Sequence, residues 1–115
     1  MTAAHLVFVV EDEELIGYIL NDALTEGGFV VTMASNGDEA MSMLEATEPK
    51  FSALITDVNL PGKLTGWDVA KRAREIFDTL PVVYLTGGSA HDWASKGVPN
   101  SILVTKPFAP ARRFG

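Results

Sequence analysis

Residues 53–66 read Ala-Leu-Ile-Thr-Asp-Val-Asn-Leu-Pro-Gly-Lys-Leu-Thr-Gly, a short apolar run that ends in an acid and a turn. The apolar run Ala53–Ile55 leads to an acid, Asp57, and Asn59-Leu60-Pro61-Gly62 turns the chain at once. Outward from it lie four more short apolar runs, Leu6–Val10, Phe29–Met33, Val82–Leu85 and Ile102–Val104. They are continuous rather than alternating, as strands covered on both faces are. Between them the spacing turns helical. In 14–27, Ile16, Ile19, Leu20, Ala23 and Leu24 form one stripe, stopped by Gly27-Gly28. Asn36-Gly37-Asp38 opens a second helix with Ala40 and Leu44 inward, and Pro49 marks its end. Trp67, Val69, Ala70, Ala73, Ile76 and Phe77 give a third, ended before Pro81, and 89–96 a short fourth. This βαβαβαβαβ order predicts an α/β fold: a doubly wound, five-stranded parallel sheet with right-handed crossovers and helices on both faces.

Composition bounds the function. A chain of 115 residues, 47% hydrophobic, is one domain able to bury about two-thirds of its surface. No cysteine means no disulfide framework, thiolate zinc site or cysteine nucleophile. A net charge of −6 argues against nucleic acid or an anionic membrane as partner. No apolar run approaches a membrane span, and Leu6–Val10 stops at four consecutive acids with no basic residue before it, unlike a signal peptide. The expectation is a cytoplasmic domain, with no internal repeat or linker.

In a parallel sheet, ligands bind beyond the carboxyl ends of the strands. After the first run stand Glu11-Asp12-Glu13-Glu14, after the third Thr56-Asp57-Val58-Asn59, after the fourth Thr86-Gly87-Gly88, and after the fifth Thr105-Lys106-Pro107-Phe108. Converging carboxylates repel and raise one another's pKa unless a cation intervenes. A hard divalent ion with oxygen ligands, Mg2+ first among them, relieves that. A Lys and a Thr beside a metal-held Asp suit phosphoryl transfer to a carboxylate nucleophile.

These four pieces, in order and at the right strand ends, resemble the response regulator receiver domain, the CheY-like module of two-component signalling, over residues 5–108. The resemblance implies the flavodoxin-like strand order 2-1-3-4-5. It makes Asp57 the phosphoacceptor, fed by a histidine kinase or a histidine phosphotransfer protein. Asp12, Asp57 and the backbone carbonyl of Asn59 would ligate Mg2+, with Glu11 acting through a water. Thr86 and Lys106 would bind the phosphoryl group, and Pro107 would follow a cis bond. Asn59 and Gly88 would tune dephosphorylation; being uncharged and small, they imply a lifetime of minutes. The domain would be no enzyme beyond its own phosphorylation and dephosphorylation, and its charge change would switch a protein-interaction surface.

Three departures from the family stand out. Leu103 occupies the usual place of a switch aromatic. The 57–66 loop is one residue longer than the commonest form and is expected to arch over the site without moving Asp57. Residues 109–115 are only a stub of the family's fifth helix, expected to leave Leu6, Phe8 and Ile102 under-covered and to favour a homodimer through the fourth helix, fifth strand and stub. Glu13 and Glu14 read as first-turn acids that suit the helix dipole, Trp67 as a helix-start anchor, and Trp93 and Phe114 as packing residues first and as candidates for a partner surface second. His5 and His91 lack any ligand pattern. A haloacid-dehalogenase-type phosphatase would want a second Asp where Asn59 stands. A flavodoxin would not tolerate Glu11–Glu14 in its phosphate loop. A non-phosphorylated scaffold has Leu103 and the short end as its support.

Overall fold

The computed structural model describes residues 5–46 and 50–106. Five strands, β1 (Leu6–Val10), β2 (Val30–Ala34), β3 (Ala53–Asp57), β4 (Val82–Thr86) and β5 (Ser101–Thr105), form one parallel sheet in the order β2-β1-β3-β4-β5. Helices α1 (Glu14–Glu26), α2 (Gly37–Glu45) and α3 (Gly66–Ile76) connect the first four strands. A 3-10 turn at Ala90–Asp92 runs into the single-turn α4 (Trp93–Lys96). The predicted sheet and order are thus observed.

Several strands extend beyond their apolar runs. β3 continues to Asp57, paired with Leu85, and β4 to Thr86, paired with Thr105. Ladder bonds join backbones and are indifferent to side-chain polarity. The acid and the hydroxyl therefore sit on the rigid ladder itself rather than on loops.

Alternation along the strands divides the core. Phe8, Val10, Leu54, Val82 and Tyr84 join Ala40 and Leu44 of α2 and Val69, Ala70 and Ala73 of α3 in one cluster. Trp67 lies 4.7 Å from Tyr84 between ring centroids, the anchor its position suggested. On the opposite face Ile55, Val83, Leu85 and Val104 meet Ile19, Leu20 and Ala23 of α1 around an apolar groove of about 290 Å³.

This division corrects one expectation. Phe8 is fully buried and stacked 4.7 Å from Phe51, and Leu6 packs against the same cluster. Both point toward the α2–α3 side, where a fifth helix beside α1 would not reach them. Ile102 is 60% exposed, as expected. Pro107 and residues 109–115, Phe114 among them, lie outside the described residues.

The helix starts are set locally. The Asn36 side chain accepts from Glu39 N at 2.8 Å, and Thr65 and Asp68 form a reciprocal capping box that opens α3. Glu13, at the start of α1, makes no capping bond with its side chain.

Candidate functional site

The strand order reverses between β1 and β3, so the chain opens a crevice at their carboxyl ends. Glu11 extends β1 by donating its N–H to Ala34 O at 3.0 Å. Its carboxylate is buried: Oε2 accepts from Glu13 N at 3.0 Å, whereas Oε1 makes no hydrogen bond among the described residues. Asp12 is exposed beside it, and Asp57, only 5% exposed, closes the group from β3. One oxygen from each of Glu11, Asp12 and Asp57 lies within 4.8 Å of the others.

Lys106 supplies the cation. Its backbone N donates to Thr86 O at 2.8 Å, which aims the side chain along the end of the sheet. Nζ reaches Asp57 Oδ2 at 2.9 Å, Glu11 Oε1 at 3.2 Å and Glu13 Oε1 at 3.2 Å. The Glu11 contact is an ion pair without hydrogen-bond alignment at Oε1. Burial disfavours the ammonium charge, but hydrogen bonding and attraction to Asp57, then Glu11 and Glu13, outweigh it and hold the Lys106 pKa above the usual range. Burial pushes Glu11 up to about 7, helped by the Asp57 charge and opposed by the Glu13 N–H and Lys106.

Four carboxylates (Glu11, Asp12, Glu13, Asp57) against one ammonium leave an excess of three negative charges when all are ionised. The orphaned Glu11 oxygen and three clustered hard-oxygen donors fit a divalent cation such as Mg2+.

The model of the response regulator receiver domain family matches residues 7–113. The chain belongs to that family. It is 32% identical over 105 residues to the transcriptional regulatory protein CusR of Escherichia coli K12, covering 90% of this chain and 45% of the relative. The chain therefore spans about half the length of the curated relatives it matches. Its fold is similar to a response regulator receiver protein from Sinorhizobium medicae WSM419, with a TM-score of 0.88 and 37% identity over 96% of this chain and 89% of that one. The chemotaxis response regulator CheY4 of Vibrio cholerae aligns with a TM-score of 0.79 and 27% identity, covering 95% and 92% of the two chains. The acidic pocket of this receiver domain is the kind that suits Mg2+ and an aspartyl phosphate.

The remaining expected residues surround this pocket. Thr86 is fully buried, and its Oγ1 accepts from Ser89 N at 2.8 Å and Gly88 N at 3.3 Å. Asn59 is exposed and donates from Nδ2 to Ser89 Oγ at 3.5 Å, joining the loops after β3 and β4. Gly88 has open space where a side chain would grow. Leu103, opposite Tyr84 on β5, is partly buried against the core, and the Tyr84 hydroxyl accepts from Val98 N at 3.0 Å.

Two further residues shape the site. Glu13 is tied to Lys106, ninety-three positions away, rather than serving the helix start alone. Gly66 donates to Val58 O at 2.8 Å, and a Cβ there would press into the Asp57 carbonyl and Val58 Cα. The 57–66 loop thus closes against Asp57 without displacing it from the ladder.

Proposed function

We infer that Asp57 accepts a phosphoryl group from a phosphohistidine of a histidine kinase or a histidine phosphotransfer protein. The observation that carries this is Lys106 Nζ at 2.9 Å from Asp57 Oδ2 inside the acidic pocket. An Asp57 oxygen attacks phosphorus, the donor's P–N bond breaks with its electron pair going to the imidazole, and an acyl phosphate forms. Asp12, Asp57 and the Asn59 carbonyl would hold Mg2+, with Glu11 acting through water. The ion would offset charge on the transferring oxygens.

Lys106 then pairs with a phosphoryl oxygen, and the Thr86 hydroxyl donates to another. This draws Thr86 from the Gly88 and Ser89 amides and reshapes the loop leading to α4. Hydrolysis reverses the modification: water attacks phosphorus, the P–O bond to Asp57 breaks, and carboxylate and inorganic phosphate remain. Asn59 and Gly88 set how freely water enters. The domain thus acts as a switch in a phosphorelay, catalysing only its own phosphorylation and dephosphorylation. Its responsive surface is α4 and β5, where exposed Ile102 supports self-association.

The test is intact mass after incubation with acetyl phosphate and Mg2+, beside Asp57→Asn. Gain of one phosphoryl group by the parent alone, abolished by EDTA, is the expected result. No gain despite bound Mg2+ would favour the scaffold reading.

A further inference from the structure

Glu13 is the one member of the Lys106 cluster for which the phosphoryl-transfer chemistry above has no use. Its carboxylate stands at the start of α1 yet does not cap it, and its side chain is 59% exposed. The contact it makes is with Lys106 Nζ, at 3.2 Å. Asp57 Oδ2 lies 2.9 Å from the same nitrogen, so the two carboxylates are no more than about 6 Å apart. Glu13 also lines a cleft of about 460 Å³ that opens beside the acidic cluster, together with Asp12, Glu14, Tyr18 and Ser35.

We propose that Glu13 selects the phosphoryl donor by charge, disfavouring small, doubly anionic donors at the mouth of the site. The inference rests on Asp57 being the phosphoacceptor. A donor approaching Asp57 must bring its phosphoryl oxygens to Lys106, which Glu13 already holds, and so within reach of the Glu13 charge. Two unit charges about 6 Å apart in a water-like medium alter an equilibrium or rate about threefold. Each further negative charge on the donor adds the same factor, so Glu13 separates donors by their charge and not only by their reactivity.

Glu13→Gln keeps the shape of the side chain and removes the charge. It also frees Lys106 to lean on Asp57, an effect felt equally by every donor. The informative quantity is therefore a ratio: the phosphorylation rate constant with acetyl phosphate, a dianion, over that with phosphoramidate, a monoanion. At low ionic strength Glu13→Gln should raise this ratio about threefold and Glu13→Lys about tenfold. In about 1 M KCl, where screening acts over ~3 Å, both effects should collapse. Glu14→Gln makes the same change in net charge on a residue of the cleft outside the Lys106 cluster, and should move the ratio clearly less.

An unchanged ratio in Glu13→Gln, with the parent phosphorylated on Asp57, overturns the proposal while leaving the phosphoacceptor reading intact. An equal rise in Glu14→Gln overturns it as well, since net charge alone would then suffice. Absence of phosphorylation in the parent overturns both readings together.

Discussion

Replacing Gly66 with alanine sets two opposing effects against each other. Within a helix, alanine is ordinarily favoured over glycine by about 1 kcal/mol. At Gly66, the first residue of α3, the new Cβ would run into the Asp57 carbonyl oxygen and stand 2.9 Å from both the Asp57 carbonyl carbon and Val58 Cα. These are backbone atoms and cannot rotate away. They are pinned by the pairing of Asp57 with Leu85 and by Val58 N donating to Leu85 O at 2.9 Å. Relieving the contact with the Asp57 carbonyl oxygen, the tightest of the three, moves the start of α3 by at least about 1 Å and stretches the 2.8 Å bond from Gly66 N to Val58 O. Overpacking of this kind costs ~1–3 kcal/mol, and a weakened hydrogen bond adds roughly 1 kcal/mol. After the helix-propensity gain, a net destabilisation of about 1–3 kcal/mol remains. At roughly 4 °C per kcal/mol this lowers Tm by about 4–12 °C. Urea unfolding followed by tryptophan fluorescence measures it. Gly87→Ala, whose Cβ meets nothing within 4 Å, serves as the control. Gly66→Ala as stable as the parent, or more so, would refute the close-approach argument.

Three further outcomes are expected. Glu11, raised from 4.5 to about 7 by burial, binds its proton more tightly folded than unfolded, so its contribution to stability is complete below pH 4.5 and lost as pH rises through 7. By linkage this is on the order of 3 kcal/mol; in EDTA, Glu11→Gln should flatten that slope and be the more stable form above neutrality, and urea titrations across this range that leave the slope in place would contradict it. A Cβ at Gly88 meets nothing within 4 Å, and Gly88→Arg should shield the acyl phosphate from water, lengthening its lifetime; an unaltered decay of phosphorylated protein would count against a role for this position. Sedimentation velocity should show concentration-dependent association that Ile102→Lys weakens, and a parent that stays monomeric at every concentration would rule out a dimer through the exposed edge strand β5.

Much of the site was legible because it is built from strand ends. Apolar runs mark strands, and in a parallel sheet their carboxyl ends share one edge, so the sequence alone gathers Glu11, Asp12, Asp57, Thr86 and Lys106 there. The assignment of Phe8 failed for a physical reason. A continuous apolar run, Leu6–Val10, carries no alternation signal, so the face each residue takes is unreadable until neighbouring helices choose it. Glu13 was read by its local role at the start of α1 because its partner lies ninety-three residues away.

What depends on short-range order was carried by the sequence: strand and helix periods, the turn after Asp57, the helix start at Asn36, and the residues standing at the strand ends. Tertiary structure decided which charges meet. Placing β1 beside β3, with the end of β5 reaching across β4, buried one Glu11 oxygen without a hydrogen bond and set Lys106 among three carboxylates. Electrostatic energies between ionised groups follow distance and burial, and both are properties of the assembled sheet rather than of neighbours along the chain.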